Sequence, residues 1–488
     1  MYSSLWLLIM GFIVSFGTLL GIGANDVANS FATSVGAKVL TMRTALIVAG
    51  IFEFSGSFAG SRVSDTVRKK IIDQTAFDDY PFVFMFGMLT SMMAAGTWLG
   101  IATWLRMPVS TTHSIIGAII GFALAFSFND GSTGSAIDWV KVGWISFSWV
   151  AAPFCSGLLT TGIYDVIKYF ALRSAKPVHR SLIIFPPMLG VTISIIAFFL
   201  IYKGLPQLDL DERYTIPEAI GISIGCGVVF MGISIFVVHR WLYDKIMNAT
   251  PSPDETLPEE QGEQAQQAQQ AQQEEQEQSH VEHLALQVMD AQSMTDAELP
   301  ETHHHFNHRF ANMPLYDVKA EKLFSYLQIV TASMSSFAHG ANDVANGIAP
   351  LAAMLSIYQD STVEQKSDIP WWILLMGGAG IVIGLFMWGE RIIIQAGSRI
   401  TGITPSRGFS IELGAVLAVL ISTMFELPVS TTHCQIGSII ASGMCDGGYK
   451  SVDWKICRKI FYSWFITLPF TAAMSGLLFS FAFYSPPH

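Results

Sequence analysis

GANDVAN runs from Gly23 to Asn29 and returns unchanged from Gly340 to Asn346, and PVSTTH runs from Pro108 to His113 and returns from Pro428 to His433. The offsets are 317 and 320 residues, so the two motifs recur in the same order at nearly the same spacing. Polar motifs duplicated inside an apolar chain mark a membrane architecture of two structural repeats, with the functional site where the repeats face each other. The likeness extends past the motifs, because Asp138-Trp139 and Ser148-Trp149 reappear as Asp453-Trp454 and Ser463-Trp464.

The chain is 51% apolar and 13% charged, against roughly 25% charged residues in an ordinary soluble domain. Twelve stretches are apolar and long enough to be candidates for crossing a hydrocarbon core of about 30 Å as helices. Five lie in the first half (5–22, 43–60, 82–105, 113–129, 142–165), two between the halves (182–202, 217–240) and five in the second (323–341, 371–389, 408–427, 433–447, 459–483). The stretches from 113 and 433 follow PVSTTH so closely that each is expected to be half of a re-entrant hairpin or broken helix. Seven crossings separate equivalent points, so the second repeat runs upside down relative to the first. The expected fold is therefore an all-α integral membrane protein of about twelve transmembrane helices in two inverted-topology repeats. Residues 1–170 form the first repeat, 171–240 two intervening spans, 241–322 a linker and 323–488 the second repeat.

Net charge is −11, yet residues 251–310 alone hold thirteen acidic residues and one Arg, leaving about +1 for the rest. That stretch also carries the Gln-Ala run 264–273 and His303 to His305. Such composition cannot bury enough apolar surface to fold alone and reads as a disordered linker, with a short helix near 281–289. The five cysteines have no metal-ligand spacing and read as free thiols. Loops after odd-numbered spans collect 19 of the 27 Lys and Arg, which makes them cytosolic. Arg68, Lys69 and Lys70 run against that bias. The linker is then cytosolic and both termini outside. No basic n-region or transit segment opens the chain, so the plasma membrane is the expected location. Nothing points to nucleic acid, and assembly as a homo-oligomer stays open.

In GANDVAN, Asn25, Asp26 and Asn29, with Asn342, Asp343 and Asn346 in the copy, bring oxygens into a membrane segment. Unpaired carboxylates there are expensive, so they need a cation or a donor. Asp26 and Asn29 lie three apart, on one face of a helix, which suits a small hard ion. The alternative is an interhelical polar clamp. PVSTTH reads as a helix start: Pro108 needs no donor, and Ser110, Thr111 and Thr112 (Ser430, Thr431 and Thr432 in the copy) cap and carry hydroxyls. Helix starts hold phosphate or sulfate through first-turn N–H groups and a partial positive charge. Two starts from opposed repeats would grip one tetrahedral oxyanion, although Ser and Thr can also merely cap a broken helix. His113 and His433 follow, either bonding the hairpin or titrating during transport. Glu53 and Glu412 stand inside apolar spans without aligning in the repeat, and intramembrane carboxylates mark an ion or substrate pathway by default. Glu390 beside Arg391 reads as an interfacial pair, and Arg106 and Glu426 as anchors.

An oxyanion beside Asp26 and Asp343 would be repelled by several kcal/mol at an effective dielectric near 20. It can bind only together with cations, and that is symport. The same residues, with SFAHGANDVANGIAP at Ser336 to Pro350 and SGSFAGSRVSDTVRKK at Ser55 to Lys70, resemble the inorganic phosphate transporter (PiT) family over both halves. The resemblance implies cation-coupled phosphate uptake by alternating access and no enzymatic activity. It assigns substrate binding to Asn25, Asn342 and both Ser-Thr-Thr runs. Sodium binding falls to Asp26, Asn29, Asp343, Asn346, Glu53 and Glu412. The long linker and Asn346 look more like the sodium-coupled eukaryotic branch, with a proton as the alternative ion. No cofactor is expected beyond transported phosphate and sodium. The competing readings are a carrier of sulfate or another tetrahedral oxyanion, and a phosphate sensor that signals through its linker.

Overall fold

The computed structural model describes residues 5–26, 28–58, 72, 74–129, 137–204, 213–247, 313–363, 369–424 and 429–483. The linker 251–310, Arg68 to Lys70 and Glu426 lie outside the described residues. Fourteen α-helices order the described chain: α1 (Leu5–Asp26), α2 (Ala28–Gly36), α3 (Met42–Ser57), α4 (Pro81–Trp104), α5 (Thr111–Asn129), α6 (Trp139–Ile167), α7 (Pro177–Phe199), α8 (Ile216–Ile233), α9 (His239–Met247), α10 (Val318–Asp360), α11 (Trp371–Ser398), α12 (Pro405–Met424), α13 (Thr431–Gly447) and α14 (Trp454–Phe483). Among the described residues the only extended pairing is an isolated bridge between Ile72 and Ile137.

Each expected apolar stretch coincides largely with a helix. Among the described residues, eight segments are long and apolar enough to cross a membrane: Leu5–Gly36, Pro81–Trp104, Trp139–Leu172, Pro177–Tyr202, Ile216–Ile246, Trp371–Ile394, Pro405–Ser422 and Trp454–Phe481. The remaining four expected spans depart from that pattern for visible reasons. α3 and α13 have 16 and 17 residues, and the apolar part of α5 is Thr111–Ser127. α10 is 43 residues long but carries the second polar motif in its middle. The chain is apolar outside and polar inside: on α1, Trp6 and Ile13 are 54% and 60% exposed while Ser15, Asn25 and Asp26 are buried. That is the distribution lipid imposes, since it solvates side chains that water would expel and strands those that need hydrogen bonds. Helix starts near the ends of spans are closed by side chains. Asp138 accepts from Lys141 N at the start of α6, Asp317 from Ala320 N at the start of α10, and Thr215 forms a capping box with Glu218 before α8.

α1 packs on α4 and α11, and α10 packs on α12 and α3; α5 packs on α4 and α14, and α13 on α12 and α6. α7 and α8 pair with each other, and α7 leans on α10. The first glycine of each GANDVAN copy sets these crossings. A Cβ on Gly23 would stand 1.8 Å from the Ile381 carbonyl oxygen of α11, and one on Gly340 would stand 2.4 Å from the Glu53 carbonyl oxygen of α3. No other residue type lets the backbones meet there.

One end of the bundle is tied by a buried charge cluster. Arg407 Nη2 on α12 lies 2.6 Å from Asp446 Oδ2 at the end of α13, and Lys168 Nζ, just past α6, lies 2.8 Å from Asp446 Oδ1. Tyr164 donates to the same carboxylate, as does Tyr316 at 3.3 Å, while Arg407 also reaches the Pro314 carbonyl at 3.4 Å. The chain leaving the linker therefore docks where α12 begins and α13 ends. We call this end the linker face.

Candidate functional site

The first GANDVAN copy straddles the end of α1 and the start of α2, whereas the second lies within the continuous α10. Val27 and the side chain of Asn29 lie outside the described residues. Both PVSTTH copies end in helix starts, as their capping residues require. Ser110 Oγ accepts from His113 N at 3.2 Å ahead of α5, and Ser430 Oγ accepts from His433 N at 3.3 Å ahead of α13. The two starts face each other: the rings of His113 and His433 are 4.6 Å apart, flanked by the repeat-equivalent Trp149 at 4.5 Å and Trp464 at 3.7 Å.

The polar residues of one copy bond to those of the other. Asp26 Oδ1 accepts from Thr432 Oγ1 at 2.7 Å, with Thr111 as a further donor. Asn346 Nδ2 donates to Thr111 Oγ1 at 3.0 Å, Thr112 Oγ1 at 3.2 Å and Asp343 Oδ1 at 3.1 Å. Asp343 also accepts from Asn342 Nδ2 at 2.9 Å and Thr431 Oγ1 at 3.2 Å. Asn25 bonds within its own half. Its amide donates to Thr103 Oγ1 at 3.1 Å and the Met107 carbonyl at 3.0 Å, and its carbonyl accepts from Val109 N at 2.9 Å, pinning the turn that leads into α5.

His339, which the sequence reading did not single out, joins two of the predicted carboxylates. Its Nδ1 lies 2.9 Å from Glu53 Oε2 and its Nε2 lies 2.6 Å from Asp343 Oδ2, with all three side chains no more than 2% exposed. Ser336 Oγ adds a 3.0 Å bond to Glu53. A neutral imidazole has one N–H, so an imidazole between two carboxylates is satisfied only when an extra proton resides in the triad. The signal was present in the sequence: His339 and Asp343 are four apart on one helix face, and a histidine inside a span is a functional residue by default. Asp26, His339 and Asp343 can each offer a ligand atom within 4.8 Å of the others, a spacing that could hold a metal ion.

Glu412 belongs to another cluster, beside α2 rather than between the aspartates. It accepts from Thr33, from Ser34 Oγ at 3.1 Å and from Thr331 Oγ1 at 2.6 Å. Three hydroxyls can solvate a buried carboxylate in place of a cation, and they surround one that a cation would join. Arg106, Glu390 and Arg391 are exposed. Arg106 stands in the left-handed region at φ 57°, in the turn ahead of α5.

The geometry agrees with what the chain resembles among known proteins. The sequence model of the phosphate transporter family matches residues 22–475. The phosphate-repressible phosphate permease pho-4 of Neurospora crassa is 31% identical, with 99% of this chain and 98% of that protein covered. Sodium-dependent phosphate transporter 1 of Mus musculus is 28% identical, over 98% of this chain and 95% of its own length. Among solved structures, one described as the sodium-dependent phosphate transporter superposes with a TM-score of 0.76 at 28% identity, covering 98% of this chain and all of that one. With the family's model matched across nearly its whole length, and with both motif copies folded into one buried polar site, this chain belongs to the phosphate transporter family.

Proposed function

We propose that the protein is a symporter that carries inorganic phosphate across a membrane with sodium by alternating access between two inverted repeats. The observation that carries the reading is the meeting of Asp26 and Asp343 with the hydroxyls of both helix starts: Thr432 and Thr431 of the second reach Asp26 and Asp343, and Thr111 of the first reaches Asp26 and Asn346. Each repeat supplies an acid and an anion-binding helix start to a single place. Two carboxylates and a phosphate cannot share that place without cations: two like unit charges 4 Å apart repel by about 4 kcal/mol at an effective dielectric near 20. Sodium bound at Asp26, Asn29, Asp343 and Asn346 cancels the repulsion. Phosphate then completes the site through Ser110 to Thr112, Ser430 to Thr432 and the first-turn N–H groups behind them. Phosphate is favoured over sulfate because it donates as well as accepts, and the aspartates are acceptors.

The packing supports the inverted-repeat assignment, with repeats at 1–170 and 323–488 and the spans of 171–240 between them. Exchanging α1 with α10, α3 with α11, α4 with α12, α5 with α13 and α6 with α14 turns the contacts of one half into those of the other. Charge bias in the loops gives a cytosolic linker over 241–322 and outside termini, and the plasma membrane is the location we propose. The sodium-dependent relatives favour sodium over a proton as the coupling ion.

The test is phosphate uptake into liposomes holding the purified protein, with sodium and proton gradients imposed separately and Asp26→Asn and Asp343→Asn alongside. Uptake that follows the sodium gradient and is lost in both variants is expected. Phosphate binding without gradient-driven uptake would replace the transporter reading with a sensor.

A further inference from the structure

A cavity opens between α2, α10, α12 and α13, lined among others by Ser30, Ser335, Ala338, His339, Thr431 and Gln435. It lies between the central aspartates and the linker face. Ser335 and His339 precede Asp343 on α10, on the linker side of it, and α12 and α13 run from here to the Arg407–Asp446 cluster. Its inner end is the His339 ring, whose two nitrogens face Glu53 and Asp343.

Its polar lining breaks the repeat. With the offsets of the two motifs, Ser30 corresponds to Gly347, His339 to Ile22 and Gln435 to Ile115. Three polar residues that duplication does not supply therefore converge on one cavity. The equivalent region of the other half is closed and, apart from Thr18 and Thr111, apolar: Leu19, Ile22, Leu99 and Ile115 are at most 1% exposed and belong to one packed cluster. A Cβ on Gly347 would lie 2.7 Å from Leu19, and one on Gly21, the equivalent of Ala338, 3.0 Å from Leu99. In the cavity, Ser30 Oγ and Gln435 Nε2 are buried and have no hydrogen-bond partner among the described residues. Buried donors are rarely left unpaired, since the desolvation cost is then uncompensated.

We infer that this cavity is a one-sided antechamber to the central oxyanion site, in which Ser30 and Gln435 hold phosphate beside the Thr431 helix start as it passes between the central site and the linker face. The inference rests on the transport reading. The donor set decides the class of ligand. A hydroxyl and an amide N–H lie beside the N-terminal turn of α13, whose partial charge is positive, and a tetrahedral anion accepts from all three.

The experiment places Ala338→Cys and Val416→Cys, both lining the cavity, in liposome-reconstituted full-length protein and adds a membrane-impermeant thiol reagent to one face at a time. Modification is read peptide by peptide by mass spectrometry, with Ala95→Cys, in the closed half, as control. Both cavity cysteines should react from the linker face alone, and Ala95→Cys from neither. Inorganic phosphate at ten times its dissociation constant should slow the reaction about tenfold, and chloride should not. In Ser30→Gly/Gln435→Ile, which installs the residues of the other repeat, that protection should vanish while equilibrium binding of radiolabelled phosphate to the central site persists. Reaction from both faces or from neither, or protection that survives the double substitution, would overturn the antechamber and leave the transport reading standing. Absence of phosphate binding by the unaltered protein would remove the transport reading itself.

Discussion

Replacing His339 by Gln tests the part of the site that duplication does not explain. The imidazole stands 2.9 Å from Glu53 and 2.6 Å from Asp343, with all three groups buried. A unit positive charge attracts each carboxylate at these distances by about 6 kcal/mol at an effective dielectric near 20. Desolvation offsets much of that, and removing one partner of a buried pair costs about 3–5 kcal/mol net. At about 1.4 kcal/mol per decade, sodium-driven uptake at sub-saturating phosphate should fall at least a hundredfold in His339→Gln. Glu53→Gln alone should be similarly damaging, because it strands the imidazole beside one acceptor. The double variant His339→Gln/Glu53→Gln is the informative one. It removes the ion pair as a whole, and two amides of similar size can bond to each other and to Ser336. Its loss should be smaller than the sum of the single losses by at least 1 kcal/mol, read from uptake and from the thermal midpoint in detergent. Additivity within about 0.5 kcal/mol would show that the two residues do not act through each other and would refute the triad.

Other substitutions probe the frame. Gly340→Ala puts a Cβ 2.4 Å from the Glu53 carbonyl, and such overpacking, at ~1–3 kcal/mol or more, should lower the thermal midpoint in detergent; an unchanged midpoint would contradict the close helix crossing. Thr432→Val removes the 2.7 Å donor to Asp26. A hydrogen bond to a charged group is worth ~1.5–3 kcal/mol, so the half-saturating sodium concentration for uptake should rise while Thr432→Ser stays near the unaltered protein. Arg407→Ala leaves Asp446 and Lys168 in a buried cluster short of one cation, and should cost several degrees of thermal midpoint without changing the ion that drives uptake. Deleting 251–310 should leave flux intact, and a loss of uptake would mean that the linker takes part in transport.

The parts of the site legible in the sequence were those written twice. Asp26, Asp343, Asn346 and the Ser-Thr-Thr runs stand out because an apolar chain would not repeat them by chance, and they meet as the repeat logic requires. Asn25, expected from the sequence to bind substrate, bonds to the turn before α5, contacts that only the path of 103–109 reveals. Its counterpart Asn342 bonds to Asp343 instead, because α10 runs straight through the motif and leaves no such turn beside it. His339, Ser30 and Gln435 went unremarked for the opposite reason: each occurs once, and its equivalent is apolar or Gly. Hydropathy alone also obscured α10. Its length supports a long helix, but the motif in its middle breaks the apolar run by which spans are counted.

That division between what is shared and what is not has a mechanical basis. The proposed alternating access needs two states of comparable energy, and two inverted repeats of similar structure would supply them, because exchanging the conformations of the halves exchanges which face is open. On the proposed mechanism, residues that hold the cargo in both states lie near the axis of that exchange and are the same in both copies, as Asp26 and Asp343, and Thr432 and Thr112, are. Residues that act on one face alone are free to differ. His339 in place of Ile22, Ser30 in place of Gly347 and Gln435 in place of Ile115 all fall on the linker side of the center. With the equivalent region of the other half packed shut by Leu19, Leu99 and Ile115, the proposed antechamber makes the conformation described one in which the linker face has access. A ligand that fills the cavity must therefore favour this state over its mirror by the full difference in its binding to the two, and the polar substitutions set the direction of that bias.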